Sequence, residues 1–158
     1  MISQKAKYAF KALVFLARRG AGGAVQIEAI AREAKVPRRF LEHILLDLKA
    51  GGIVVSRRGR NGGYALAKQP AEVTIGQILR IIDGPIAPLS CISRTAYRRC
   101  RDCPDEAACA VRRIFARAYE ATLVAMDGTT IADGAGTDDV DLPDALPPIV
   151  RLEPISVS

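Results

Sequence analysis

Cys91, Cys100, Cys103 and Cys109 are the only cysteines in the chain, and they fall within nineteen residues in the spacing C-x8-C-x2-C-x5-C. Arg, Asp and Glu surround them more than apolar residues do. Core cysteines scatter along a sequence, so a polar cluster of this kind marks a site. Thiolates take zinc, or iron in iron–sulfur clusters. Four of them could close a tetrahedral zinc site, but zinc ligands usually come as two short C-x2–4-C pairs. Here only Cys100 and Cys103 have that spacing. Longer, looped spacings suit an iron–sulfur cluster held at its corners. Arg94, Arg98, Arg99 and Arg101 lie close by and would offset the negative charge of such a cluster. They would equally lower thiol pKa values, which keeps a metal-free thiol redox switch and a structural zinc site as alternatives.

A second group of residues has a different chemistry. Residues 1–70 hold 14 Lys and Arg against 4 Asp and Glu, within a chain of net charge +6. A basic body of this kind favours a polyanion, and double-stranded DNA is the common one. Residues 127–158 hold one Arg against 7 Asp and Glu.

The elements that must position these groups follow from the pattern. Ser3 to Arg19 reads as a helix, a second runs near Ile27 to Ala34, and Lys35-Val36-Pro37 makes a short turn. Pro37 is placed at the first position of a third helix that continues to about Ala50. Phe40, Leu41, Ile44, Leu45 and Leu48 give that helix its buried face. Ile53–Ser56 and Tyr64–Ala67 read as strands of a hairpin around Gly59, Asn61, Gly62 and Gly63. A fourth helix runs from Thr74 to about Ile82. This order predicts a mainly α fold with a small β-hairpin wing: a winged helix-turn-helix followed by a long C-terminal helix. The expected divisions are a DNA-binding domain at 1–86, a cysteine loop at 87–108, a dimerisation helix at 106–126 and an acidic, disordered tail at 127–158. In the long helix Val111, Ile114, Phe115, Ala118, Leu123 and Val124 supply apolar surface, part of it for a partner subunit.

If the third helix enters the major groove, Arg38, Arg39, Glu42 and His43 face the bases. Arginine bonds guanine bidentately, and a carboxylate accepts from the cytosine amino group. His43 is the only histidine, and an exposed helical role without function is the alternative for it. Glu42 has the alternative of pairing with Arg38 or Arg39. Arg57, Arg58 and Arg60 on the wing suit the phosphate backbone or the minor groove. Lys5 and Lys7 add phosphate contacts.

The opening ISQKAKYA, the segment VPRRFLEHILLDLKAGGIVVSRRGRNGGYAL and the cysteine loop followed by a helix resemble the IscR/NsrR/RirA family of bacterial transcription regulators, over about residues 1–126. The stretch ending in GRNGGY is its most specific part. The resemblance implies a homodimer of winged helices crossed by long helices, bound to a pseudo-palindromic operator. It also implies a [2Fe-2S] or [4Fe-4S] cluster on three loop cysteines, reporting iron supply, cluster demand, nitric oxide or redox state. By position Glu42 matches a base-reading glutamate and Arg58 a wing arginine. Cys91, Cys103 and Cys109 match the three-cysteine pattern, with the first step longer than usual and Cys100 extra. The histidine that is fourth ligand in one branch would fall near Arg112, and the acidic ligand of another would fall among Gln4, Lys5 and Lys7. Cys100 is the simplest fourth ligand; a rival set is Cys91, Cys100 and Cys109, with Cys103 spare.

Other classes have less support. No phosphate-cradling glycine loop is present, and His43 lies about fifty residues from Cys91, so the chain does not read as an enzyme. A metal-free interaction subunit would have little use for the basic wing. No leader is visible and no uncharged run approaches the roughly 20 residues that span a membrane, so a cytoplasmic protein is expected.

Overall fold

The computed structural model describes residues 2–20 and 23–136. Helix α1 (Gln4–Arg19) starts where the Ser3 side chain accepts the Ala6 N–H at 3.0 Å. Ser3 also hydrogen-bonds Asp83 through both its hydroxyl and its backbone N–H. The start of α1 is thereby tied to the end of α4 (Ile75–Ile82). Between them come α2 (Ile27–Glu33) and α3 (Arg38–Ala50). Pro37 is the N-cap of α3 rather than its first helical residue: its extended ψ of 127° leaves the proline outside the helix.

Leu13, Ile30, Leu41, Ile44, Leu45, Leu48 and Ile78 are fully buried and join the three-helix core to α4. Burying each such side chain contributes about 1.5–3 kcal/mol. Phe40 departs from the expected buried face: it is 45% exposed. It lies beside the Leu41/Ile44/Leu48 stripe, and its ring packs against Tyr8 of α1 instead.

Strands β1 (Val54–Arg57) and β2 (Gly63–Leu66) pair antiparallel, with Val54 opposite Leu66 and Arg57 opposite Gly63. Val25 bonds Tyr64 in both directions at 2.8 Å, which anchors the wing to the segment between α1 and α2. The architecture is the expected one, mainly helical with a two-stranded wing.

Beyond a 3-10 turn at Ser90–Ile92, α5 runs from Ala110 to Gly128. It starts later than the expected Glu106, because residues 104–109 have other bonds. Asp105 Oδ1 accepts the Ala107 N–H at 2.8 Å, and the Glu106 carboxylate accepts from Tyr97. The chain past Asp127 also differs from expectation. Thr130 and Asp133 form a capping box for α6 (Ile131–Ala135). Ile131 is buried, its N–H donates to Val73 at 2.9 Å, and α6 packs on α1. The remainder of the expected acidic tail lies outside the described residues. Among those described, no helix is long and apolar enough to cross a membrane.

Arg80 and Asp127 join α4 to the end of α5 through two 2.8 Å contacts. The hydrogen bonds from Arg80, and then its charge, hold the Asp127 carboxyl below its ordinary value. A carboxylate lowered in this way stabilises the fold above its unfolded pKa, and the contribution disappears as pH falls through the folded value. Both side chains are partly exposed (26% and 46%), so screening keeps the effect small. Asp127→Asn is expected to cost no more than about 1 kcal/mol at neutral pH. The difference should vanish under acid. Urea unfolding of both proteins across pH 2–7 checks this, and a pH-independent difference would rule out the ion pair as its source.

Candidate metal centre and nucleic-acid interface

The cysteine loop closes on itself through local bonds. Ser90 and Arg98 bond each other twice, with the Arg98 N–H donating to the Ser90 carbonyl at 3.1 Å. Arg99 donates to the Pro104 carbonyl, and Arg112 pairs with Glu106 at 3.7 Å. The result is a cavity of about 470 Å³ with all four cysteines in its wall, alongside Leu89, Pro104, Ala108 and Val111. Cys91 is buried, Cys103 and Cys109 are half-buried, Cys100 is exposed, and all four are free thiols.

Cys109 is the N-cap of α5: its sulfur accepts the Arg112 N–H at 3.5 Å. That bond, with help from the Cys103 thiol and the Val111 N–H, lowers its pKa. Cys103 is pushed the other way, first by desolvation and then by its bond to Cys109. Its sulfur also lies 3.3 Å from the Asp105 carbonyl oxygen. The charges expected around the thiols are arranged differently. Arg94 is turned away to Glu120 of α5, and Arg112 is the cation acting on Cys109. Sequence reading missed Arg112 as a partner of the site; the signal available was its position three residues into a helix capped by a cysteine.

These donors match an iron–sulfur cluster in kind, being four thiols on one pocket. Among the described residues, no group of three or more His, Cys, Asp or Glu is arranged to hold a metal ion.

The expected DNA-reading residues are all exposed, on α1, α3 and the wing. They are not equally free. Arg38 is held between Glu28 of α2 at 3.0 Å and Glu42 at 3.2 Å, so Glu42 takes the ion-pair alternative in this state. His43 Nδ1 lies 3.1 Å from the Arg39 carbonyl oxygen, one turn back. Lys5 is committed to Asp47 of α3 at 2.6 Å. Lys7 is exposed on α1. Arg57, Arg58 and Arg60 form no ion pair among the described residues, and the Arg60 carbonyl accepts from Gln26. Glu28, which sequence reading did not single out, belongs to this surface through Arg38.

Comparison with known proteins identifies the class. The model of the Rrf2 family, described as iron-dependent transcriptional regulator, matches residues 2–135. The rrf2-like HTH-type transcriptional regulator of Rhodobacter capsulatus is 54% identical over 136 residues, 84% of this chain and 91% of that protein. The HTH-type transcriptional regulator NsrR of Geobacillus kaustophilus is 31% identical over 127 residues, 80% of this chain and 84% of its own. Among solved structures, CymR, the global cysteine regulator of B. subtilis, superimposes with a TM-score of 0.72 at 30% identity, covering 88% of this chain and 98% of that one.

Proposed function

The chain belongs to the Rrf2 family of DNA-binding transcriptional regulators, and from that premise we propose that its operator affinity is controlled by an iron–sulfur cluster in the cysteine loop. The observation that carries the reading is the shared cavity, in whose wall all four thiols stand at the foot of α5. Cys91, Cys103 and Cys109 would hold the cluster, with Cys100 as fourth ligand. A mononuclear site needs its ligand atoms at about 2.3 Å from one point. A polynuclear cluster would take the thiolates of these residues on more than one iron, which suits cysteines that line a pocket without converging on one point. The family's iron dependence agrees. When bound, the cluster supplies an iron- and redox-sensitive cross-link among loop residues.

The protein's own part is mechanical. The far end of α5 is fixed to the DNA-binding domain by Arg80–Asp127, by Ile75 N–H to Thr129 and by Ile131 N–H to Val73. Its near end follows directly from the loop and packs on residues 90–92. Order in the loop therefore sets the direction of α5. Val111, Ile114, Phe115 and Ala118 recur at helical spacing on a face left exposed, with Ile114 at 68%. This face is the proposed seam of a homodimer. Turning α5 then changes the separation of the two α3 helices, which must match half-sites about one helical turn or a multiple apart.

An absorption spectrum with iron and sulfide analysis on anaerobically purified protein tests the reading. Visible bands with matching iron and sulfide are expected, and operator affinity should differ between holo and apo protein. A colourless protein that resists reconstitution, or equal affinities at several salt concentrations, would remove it. On the DNA side, Arg58→Ala should weaken binding to most sequences about equally and lower the salt slope by about 1. Glu42→Ala should instead relax base preference. Unchanged strength and specificity in both would move the recognition surface elsewhere.

One observation favours a second reading. Cys103 and Cys109 line the same cavity and act on each other's thiols, which raises Cys103 and lowers Cys109. Peroxide could oxidise them to a disulfide, losing two hydrogens from the protein and yielding water. Peptide mapping after peroxide treatment of apo protein decides whether that bond forms and whether DNA affinity follows it.

A further inference from the structure

Phe40 stands where the core pattern of α3 predicts a buried side chain, yet it is 45% exposed in the first turn of the helix. One side of its ring meets Tyr8 of α1, with centroids 6.1 Å apart and planes tilted by 44°. The Arg39 guanidinium lies over the ring, 4.8 Å from its centroid. Three side chains from two helices thus meet at the Phe40 ring. A cation over a ring face is attracted by the ring quadrupole, and a planar guanidinium keeps its edge donors available in that arrangement. Arg38, one residue earlier, is occupied by two carboxylates. Arg39 forms no ion pair among the described residues, so it is the α3 arginine free to meet a partner.

We propose that Phe40 is a positioning residue for DNA recognition: its ring, backed by Tyr8, holds Arg39 ready to bond a guanine edge in the major groove. This rests on the regulator reading above. A leucine would fill the same space without the quadrupole; a tyrosine would keep both.

The test uses duplexes of about 30 base pairs, long enough for two half-sites, enriched by the wild-type protein from a randomised pool. A shuffled duplex serves as control. Phe40→Leu is expected to weaken binding to the enriched duplex about fivefold, to relax the same guanine position as Arg39→Ala, and to leave the shuffled duplex and the melting temperature unchanged. Phe40→Tyr should restore binding. The double variant should lose little beyond Arg39→Ala alone. In the free protein, the Arg39 Nε–H resonance should be ring-shifted, and Phe40→Leu should remove that shift. Wild-type affinity in Phe40→Leu, or additive losses in the double variant, would overturn the positioning role and leave the regulator reading standing. Wild-type protein that enriches no duplex would overturn both.

Discussion

Gly63→Ala is expected to lower stability by about 3 kcal/mol and to weaken DNA binding more than tenfold. Gly63 opens β2 at φ 144°, a region that side chains with a Cβ rarely enter. A Cβ there would come within 2.2 Å of the Val25 carbonyl oxygen and 2.7 Å of the Gln26 nitrogen. Both are backbone atoms, so no rotamer change relieves the overlap. The wing must swing away from residue 25 and give up the pair of 2.8 Å bonds between Val25 and Tyr64. Two lost hydrogen bonds cost about 1 kcal/mol each, and backbone strain adds about 1–3 kcal/mol. Gly59→Ala is the matched control. Its φ is 105°, but a Cβ would meet open space, so only strain is paid. Melting of the two variants should differ by several degrees, on the order of 2–4 °C per kcal/mol. Because Arg57, Arg58 and Arg60 ride on this hairpin, the loss of affinity should appear with shuffled duplex as well as specific duplex. Equal behaviour of the two glycine variants would show that the Val25 anchor does not hold the wing in place.

The elements were legible wherever local chemistry alone decides them. Ser3 and Thr74 cap helices through their own side chains, and the buried set Leu41, Ile44, Leu45 and Leu48 follows from a 3.6-residue period. The misses come from side-chain contacts that a periodic pattern does not encode, some local and some across the fold. Phe40 fits the same period, but Tyr8 and Arg39 give its ring a home at the surface. The long helix starts after Glu106 because Glu106 is drawn to Tyr97 and Arg112, leaving Cys109 to cap it. Residues 129–136 read as tail by composition, yet Thr130 and Asp133 form a capping box and Ile131 is buried. At the cysteine site, residue type and spacing indicated the chemistry. Which charges lie near which thiol was not readable, since Arg94 is claimed by Glu120 across the fold.

Cys109→Ser is expected to abolish iron uptake while leaving the fold intact, and the reason lies in the two roles of Cys109. As N-cap of α5 its sulfur accepts the Arg112 N–H. Serine is among the preferred N-cap residues and its oxygen can take the same bond, so the helix should start where it does now. As a ligand, however, the thiolate has no substitute in a hydroxyl, because iron–sulfur clusters are held by thiolates. Circular dichroism and melting of the variant should match wild type, with iron and sulfide after anaerobic reconstitution falling below about a tenth of the wild-type content. Serine variants of the other cysteines then separate the two ligand sets. With Cys91, Cys103 and Cys109 as the core set, Cys103→Ser should lose the cluster as fully as Cys91→Ser, and Cys100→Ser should keep a more labile one. Cys100 is the exposed member, so its bond is the one solvent reaches first. If Cys103→Ser retains a full cluster and Cys100→Ser loses it, the ligands are Cys91, Cys100 and Cys109, and Cys103 is the spare thiol. If all four variants take up iron and sulfide like wild type, the loop is not the cluster site, and the Cys103–Cys109 thiol pair becomes the better account of how this chain senses its surroundings.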